Sequence, residues 1–167
     1  MDINFLAVLV AALVPMAMGF IWYNPKVLGN AWMKAAGLDE EKLKGANMAV
    51  IFSVSFVLSF LLAFFVQPMV IHQFHIMSSF YDYQEQIKDI ATPEGALFKQ
   101  VMDLVGSGHR TFGHGMLHGV MSGLFIVMPI IATNAMFERK GFKYIAINAG
   151  YWIITIGIMG GIVCGWV

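Results

Sequence analysis

Residues 46–71 read ANMAVIFSVSFVLSFLLAFFVQPMVI, a run of 26 residues that contains no Asp, Glu, Lys or Arg. A helix rises about 1.5 Å per residue, so about 20 such residues cross the ~30 Å hydrocarbon core of a bilayer. Stretches 5–23, 113–137 and 144–167 have the same apolar, charge-free character. The sequence therefore predicts an all-α fold, an integral membrane antiparallel four-helix bundle. It forms one domain over 1–167, with 72–112 outside the membrane.

The composition excludes several classes of protein. The chain is 59% hydrophobic and 12% charged, whereas soluble domains carry about 25% charged residues. The formal net charge is zero and no basic run is present, which argues against nucleic-acid binding. The spans contain no carboxylate that could orient a nucleophile or relay protons. We therefore expect a protein that is not an enzyme, and the small four-span drug exporters fit poorly.

The distribution of Lys and Arg predicts the orientation, because loops rich in these residues stay in the cytoplasm. The long loop 72–112 contains three of them: Lys88, Lys99 and Arg110. The first and third loops contain seven: Lys26, Lys34, Lys42, Lys44, Arg139, Lys140 and Lys143. We expect a bacterial inner-membrane protein whose two termini and 72–112 loop are periplasmic.

Both larger loops have helix signals. In the first loop, residues 26–36 have the pattern of an interfacial helix, with Gly37 as a left-handed cap. Asp39 then has the character of an N-cap for a short following turn. In the second loop, Thr92-Pro93-Glu94 begins a segment with an apolar stripe, which predicts an amphipathic helix.

Glycines repeat every four residues in spans three and four, and such spacing lets two helix backbones approach closely. The residues are Gly115, Gly119 and Gly123 in span three, and Gly157, Gly161 and Gly165 in span four. The contact lies either within one chain or in a homo-oligomeric seam, and the sequence leaves both open. Asn134 and Asn148 lie at similar depth near the third loop, so an amide–amide bond between them is expected.

Histidines are the residues best suited to carry chemistry. His114 and His118 are one helical turn apart, and His72 and His75 end span two at the same predicted depth, with His109 nearby. Four imidazoles could hold a zinc or copper ion, and two could ligate a haem. The alternative, and the first interpretation, is that these are ordinary interfacial histidines and that no cofactor is bound.

Several motifs resemble those of a bacterial family, domain of unknown function 1761. They are GFIWYNP at 19–25, GNAWMK at 29–34, TNAMFE at 133–138 and NAGYW at 148–152. The resemblance covers spans one, three and four, span two only by pattern, and the long loop hardly at all. It implies a small four-helix membrane protein with no established activity and no assigned catalytic residues.

Three functions remain after these exclusions. The first choice is a non-enzymatic accessory, scaffold or self-associating subunit in the lipid bilayer, as a homo-oligomer or in a larger inner-membrane complex. The second is an oligomeric small-molecule or ion permease. The third is a metal- or haem-binding membrane protein that uses the outer histidines.

Overall fold

The computed structural model describes residues 3–106 and 108–167, with the side chain of Glu40 also outside the description. The chain is 82% helical, and none of the described residues forms a β-strand. The α-helices are α1 (Phe5–Trp22), α2 (Asn30–Ala36), α3 (Glu40–Leu43), α4 (Met48–Val70), α5 (His72–Ser79), α6 (Pro93–Val101), α7 (Phe112–Ser122), α8 (Met128–Phe137) and α9 (Phe142–Gly165). Wider π-helical turns occupy Pro25–Gly29, Met102–Gly106 and Gly123–Val127, and single 3₁₀ turns occupy Tyr81–Tyr83 and Gln86–Lys88.

Among the described residues, four helices are long and apolar enough to cross a membrane: Phe5–Trp22, Met48–Val70, Phe112–Phe137 and Phe142–Gly165. Their ends lie within two residues of the predicted spans, so the prediction of four candidate spans is confirmed. The third span consists of α7 and α8 joined by the π-helical turn, which the sequence analysis did not predict. Pro129 follows this turn and has no N–H for the helical ladder, which explains why the regular pattern is interrupted there.

Helix α9 is the centre of the fold and packs against α1, α4, α7 and α8. Of its apolar window 61% is buried, against 28% or less for the other three candidate spans. The outer helices therefore keep most of their apolar surface on the outside, as lipid-facing helices do. The main core cluster consists of Val8, Ala11, Ala12, Ala63, Val66, Val70, Ile71, Ile156, Met159, Val163 and Cys164.

Contacts at one end of the fold bring the first and third loops together. The indole Nε1 of Trp22 donates to the carbonyl oxygen of Ile147 at 3.0 Å, and the Lys140 ammonium donates to the carbonyl of Ala36. The opposite end holds the last turn of α4, the first turn of α7 and the last turn of α9. We call this opposite end the histidine end, because all five histidines lie there.

The helix caps predicted in the loops are confirmed. Gly37 ends α2 in the left-handed region with φ of 72°. The side chain of Asp39 accepts from the backbone N–H of Lys42 at 2.8 Å, and Thr92 accepts from Gly95 N–H at 3.0 Å. The predicted helix over 26–36 begins instead with a π-helical turn at Pro25–Gly29. Glycine suits the end of this turn, because a β-carbon at Gly29 would lie 2.3 Å from the carbonyl oxygen of Tyr23.

The three predicted packing glycines of α7 and of the π-helical turn that follows it lie directly against the backbone of α9. A β-carbon added to Gly115 would lie 2.2 Å from the carbonyl oxygen of Gly160. One added to Gly119 would lie 2.3 Å from the carbonyl oxygen of Ile156, and Gly123 similarly contacts Ile153. Later residues of the third span contact earlier residues of α9, so the two helices run in opposite directions.

The glycines of α9 complete this interface within one chain. A β-carbon at Gly157 would lie 2.8 Å from Val120, and one at Gly161 or Gly165 would lie within 2.7 Å of Phe112. All six predicted packing glycines therefore contact the partner helix of the same chain. Gly160, which the four-residue repeat does not include, belongs to the same interface. A β-carbon at Gly160 would lie 2.5 Å from the carbonyl oxygen of Gly115.

The expected bond between Asn134 and Asn148 is wrong, since the side chain of Asn148 forms its hydrogen bonds with other residues. Asn148 Oδ1 accepts from the Tyr23 hydroxyl at 3.0 Å, and its Nδ2 donates to the carbonyl of Tyr144 at 2.8 Å. Asn134 is exposed on α8. The reason is that the face of α9 that carries Asn148 meets the end of α1. The short α8–α9 hairpin in the sequence indicates contact with α8 and gives no sign of this contact with α1.

The two asparagines therefore give a matched pair of variants. Asn148→Ala removes the bond to Tyr23, and we expect a loss of about 0.6–1.7 kcal/mol, the range measured for hydrogen bonds between membrane helices. Asn134→Ala removes an exposed amide and should leave stability within about 0.5 kcal/mol of the parent. Unfolding by sodium dodecyl sulfate in mixed micelles measures both, and equal losses would contradict the assignment.

Candidate metal centre

The chain contains five histidines, and the fold gathers all of them around His72. The ring centroid of His72 lies 4.7 Å from His114, 5.1 Å from His109 and 5.6 Å from His118. His75 is the most distant, at 6.5 Å. The four predicted ligands thus reach one end of the molecule from two separate helices, together with the fifth histidine.

A break between α4 and α5 places His72. Ile71 has extended backbone angles, φ −113° and ψ 110°, and its side chain is buried in the core. This single residue ends α4 and starts α5 at His72. Because Ile71 is anchored in the core, His72 is held at the edge of the bundle instead of continuing along α4.

The start of α7 places two more rings. The Thr111 side chain accepts from the backbone N–H of His114 at 3.2 Å and so caps the helix. His114 and His118 then follow one turn apart, with ring centroids separated by 4.5 Å. Gly115 and Gly119 turn the neighbouring face towards α9, so the two imidazoles lie beside that interface and not inside it.

The segment before α7 carries His109 over the cluster. Its ring stacks on His114 with centroids 4.8 Å apart and planes at 21°. The adjacent Arg110 fixes this segment, since its Nε donates to the carbonyl of Cys164 at 2.8 Å and its Nη2 donates to that of Trp166 at 3.2 Å. A guanidinium on the last carbonyls of α9 is electrostatically favourable at a helix C-terminus.

Three of the rings have the spacing of metal ligands. His72, His114 and His118 each offer one nitrogen, and these nitrogens lie within 4.8 Å of one another. The Nε2 atoms of His72 and His114 are 3.0 Å apart. A tetrahedral ion with bonds of about 2.0–2.1 Å needs nitrogens about 3.3 Å apart, so ring rotations of modest size would complete the triad.

The other two histidines lie at the margin of this triad. His75 and His109 are both exposed, whereas the three triad residues are partly buried. His75, although predicted as a ligand, therefore lies beside the three-nitrogen group rather than within it. His109 is the better placed of the two for a fourth ligand, because its ring stacks directly on His114.

The surroundings of His72 favour its neutral form, which is the form of imidazole that binds metals. Partial burial is the largest effect that lowers the pKa of His72 below its ordinary value, and the neighbouring His109, His118 and His75 lower it further. A second proton on this ring would be repelled by any charge on its neighbours.

Two contributors to the site were not assigned from the sequence. From sequence Arg110 is one of three cations in the long loop, and the break at Ile71 falls on the last residue of the apolar run 46–71, where no Gly or Pro stands. The sequence signal for the role of Arg110 is its position immediately before Thr111, the N-cap residue of α7. The helix end that it contacts, however, is 54 residues away in sequence.

The comparisons with known proteins bear on the family and not on the site. A family model described as a protein of unknown function (DUF1761) matches residues 6–164, which includes the long loop that the motif resemblance hardly covered. No curated protein and no solved structure matches the chain. Because the match extends over nearly the whole chain, the protein belongs to the DUF1761 family of unknown function.

Proposed function

We propose that this protein is a membrane protein that binds one transition-metal ion through His72, His114 and His118. The observation that carries the proposal is the convergence of three imidazole nitrogens within 4.8 Å of one another. The three residues come from two helices that are separated by the whole 72–112 loop. The arrangement favours the third of the functions considered from sequence over a purely structural role.

The donor set indicates the class of ion. Neutral imidazoles suit zinc and copper, whereas magnesium and calcium require oxygen ligands. A haem with two axial histidines is a poorer fit. The Nε2 atoms of His72 and His114 are 3.0 Å apart, within hydrogen-bonding distance, so a macrocycle held by both rings would have no room between them. We therefore propose a mononuclear zinc or copper ion.

The membrane setting of the proposal is an antiparallel four-helix bundle in the bacterial inner membrane. The first and third loops, with seven Lys and Arg, would face the cytoplasm, and α2 and α3 would lie at that interface. The histidine end and α6 would face the periplasm. The metal would then be bound at the periplasmic rim, beside the hydrocarbon region.

Binding is proposed in preference to catalysis or permeation. The residues on the inner side of the cluster form an apolar core that includes Val66, Ile156 and Met159. Such a core gives an ion no ligands on the way across the membrane, where desolvation is costly. We therefore propose a non-enzymatic component that holds metal, alone, as a homo-oligomer or within a larger inner-membrane complex.

Metal content of the purified protein tests this proposal. The protein should be isolated without a polyhistidine tag, stripped with a chelator, loaded with excess zinc and then desalted. Elemental analysis should find one zinc per chain, and a triple variant with His72, His114 and His118 changed to Ala should retain none. Equal zinc in the two proteins, or none in the parent, would refute the site.

The pH dependence follows from the competition of protons with metal for the imidazoles. Because burial lowers the pKa of His72 below its ordinary value of about 6.5, that ring stays neutral further into the acid range. Zinc affinity should therefore be nearly constant at neutral and alkaline pH and fall in the acid range, where protons compete with zinc for the imidazole nitrogens. Competition titrations with a chromophoric chelator at several pH values measure this, and affinity that rises in acid would contradict it.

The orientation has an independent test. Alkaline phosphatase folds only where disulfides form, so a fusion after Val167 should be active, and one after Lys140 should be inactive. The reverse pattern would move the histidine end to the cytoplasm. The metal site itself would then still stand, but on the other side of the membrane.

A further inference from the structure

A cavity of about 570 Å³ lies between α1 and α4, in the half of the molecule away from the histidines. On the side of the histidine end, the two helices pack tightly through small residues such as Ala11, Ala12 and Ala63, which are fully buried. On the side of the first loop they meet again through Phe20 and Phe52, whose ring centroids are 5.6 Å apart, and Tyr151 of α9 also lines the cavity. The lining that matters here is Pro15, Gly19, Phe20, Ser55, Ser59 and Tyr151.

The cavity has an exposed rim and a buried floor. At its rim Phe20 is 65% exposed and Leu58 is 60% exposed, on helix faces that would contact lipid. At its floor Ser59 and Tyr151 are 5% and 7% exposed. The exposed rim would give a lipid chain in the hydrocarbon region access to this floor.

The length of the cavity matches one leaflet. Along α4 its lining extends from Met48 to Ser59, which is about 16 Å at about 1.5 Å per residue. Half of the ~30 Å hydrocarbon core is about 15 Å. The cavity thus reaches from the interface near Trp32 to about the middle of the membrane.

The hydroxyl groups of the tyrosines at the floor are already paired within the protein. The Tyr151 hydroxyl donates to the carbonyl of Pro15 at 2.7 Å, and the Tyr23 hydroxyl donates to Asn148 at 3.0 Å. What these residues present to the cavity is mainly their ring faces and edges, with ring centroids 5.2 Å apart. Such a surface is complementary to a hydrocarbon chain, which needs no hydrogen bonds.

We propose that this cavity binds one acyl chain of a phospholipid from the leaflet on the side of the first loop. The chain enters between α1 and α4, and its end lies against Tyr151 and Ser59. It fills space beside the contact between Phe20 and Phe52, whose ring centroids are 5.6 Å apart, so it acts as a packing element between α1 and α4. This inference uses none of the histidines and is independent of the proposed metal site.

Photolabelling tests the proposal directly. The protein is reconstituted in vesicles of dioleoylphosphatidylcholine that contain a minor amount of phosphatidylcholine with a diazirine near the end of one acyl chain. After illumination, peptide mapping should find label on the floor residues Ser59 or Tyr151. Bulk lipid contacts only the rim, so label confined to exposed residues such as Leu58 would overturn the proposal.

Variants that fill the cavity sharpen the result. Ser55→Phe places a ring in the cavity, whereas Ser53→Phe places the same ring on an exposed face of the same helix. Label on the floor should fall to background in the first variant and persist in the second. Gly19→Leu is a second filling variant, since its β-carbon would lie an acceptable 3.9 Å from the Tyr151 hydroxyl. Floor label that survives both filling variants, or cross-links from the cavity to a second copy of the chain, would contradict lipid binding.

Discussion

His114→Ala is expected to weaken zinc binding by at least about 100-fold. Changes to groups that only orient metal ligands commonly cost 10–100-fold in affinity, so the loss of a ligand should exceed that range. His114 also contacts three of the other four rings. Its Nε2 lies 3.0 Å from that of His72, and its ring contacts both His118 and His109.

His75→Ala is the matched control for this prediction. His75 is exposed, and its ring centroid is 6.5 Å from that of His72, outside the group of three converging nitrogens. Its removal should change zinc affinity by less than about 10-fold. Competition with a chromophoric chelator gives both constants under the same conditions. Equal losses in the two variants would indicate diffuse interfacial binding and would refute the triad.

Gly119→Leu is expected to have the largest effect on the fold. A β-carbon at Gly119 would lie 2.3 Å from the carbonyl oxygen of Ile156 and 2.8 Å from Cα of Gly157. Both are backbone atoms, so no side-chain rotation can relieve the overlap. Overpacking typically costs about 1–3 kcal/mol. Displacement of a whole helix should exceed that range, and even Gly119→Ala should destabilise the protein.

Gly113→Ala is the matched control, on the same helix. A β-carbon at Gly113 would have nothing within 4 Å. Alanine favours the helix over glycine by up to about 1 kcal/mol, so this variant should be neutral or slightly stabilised. Unfolding in mixed micelles compares the two. If Gly119→Ala were as stable as Gly113→Ala, the close α7–α9 contact would be incorrect.

The spans and many of the loop caps could be predicted from sequence because they depend on local chemistry. A charge-free run of about 20 residues has one stable form in lipid, a helix that pairs its own backbone groups. Gly37, Asp39 and Thr92 act within their own turns, so their roles follow from residue type and spacing. The glycine repeat similarly indicated close packing, and the short hairpin between α8 and α9 indicated the partner.

The site was only partly predictable because it depends on contacts between distant segments. The two histidine pairs were visible, but their distance apart is set by the break at Ile71 and by the angle at which α7 crosses α4. The anchoring of Arg110 to Cys164 and Trp166 joins segments more than 50 residues apart. Asn148 illustrates the same difficulty, since its partner Tyr23 lies 125 residues away.

The π-helical turn at Gly123–Val127 was missed for a related reason. Pro129 signalled that a helical bond would be absent, but proline in a membrane helix is compatible with a kink, a break or a wide turn. Packing of Gly123 against Ile153 fixes the path of α7 on one side of that turn. Packing against α9 therefore determines which of these forms is adopted, and the local sequence carries no signal for it.

X-ray absorption at the zinc edge tests the central claim most directly. The tag-free protein, loaded with one zinc per chain and reconstituted in lipid, should give a first shell that includes three nitrogens at about 2.0–2.1 Å. The outer-shell scattering should be that of imidazole rings, and it should diminish in His114→Ala. A first shell made of oxygen alone, or one that is unchanged in that variant, would contradict a metal centre at the histidine end.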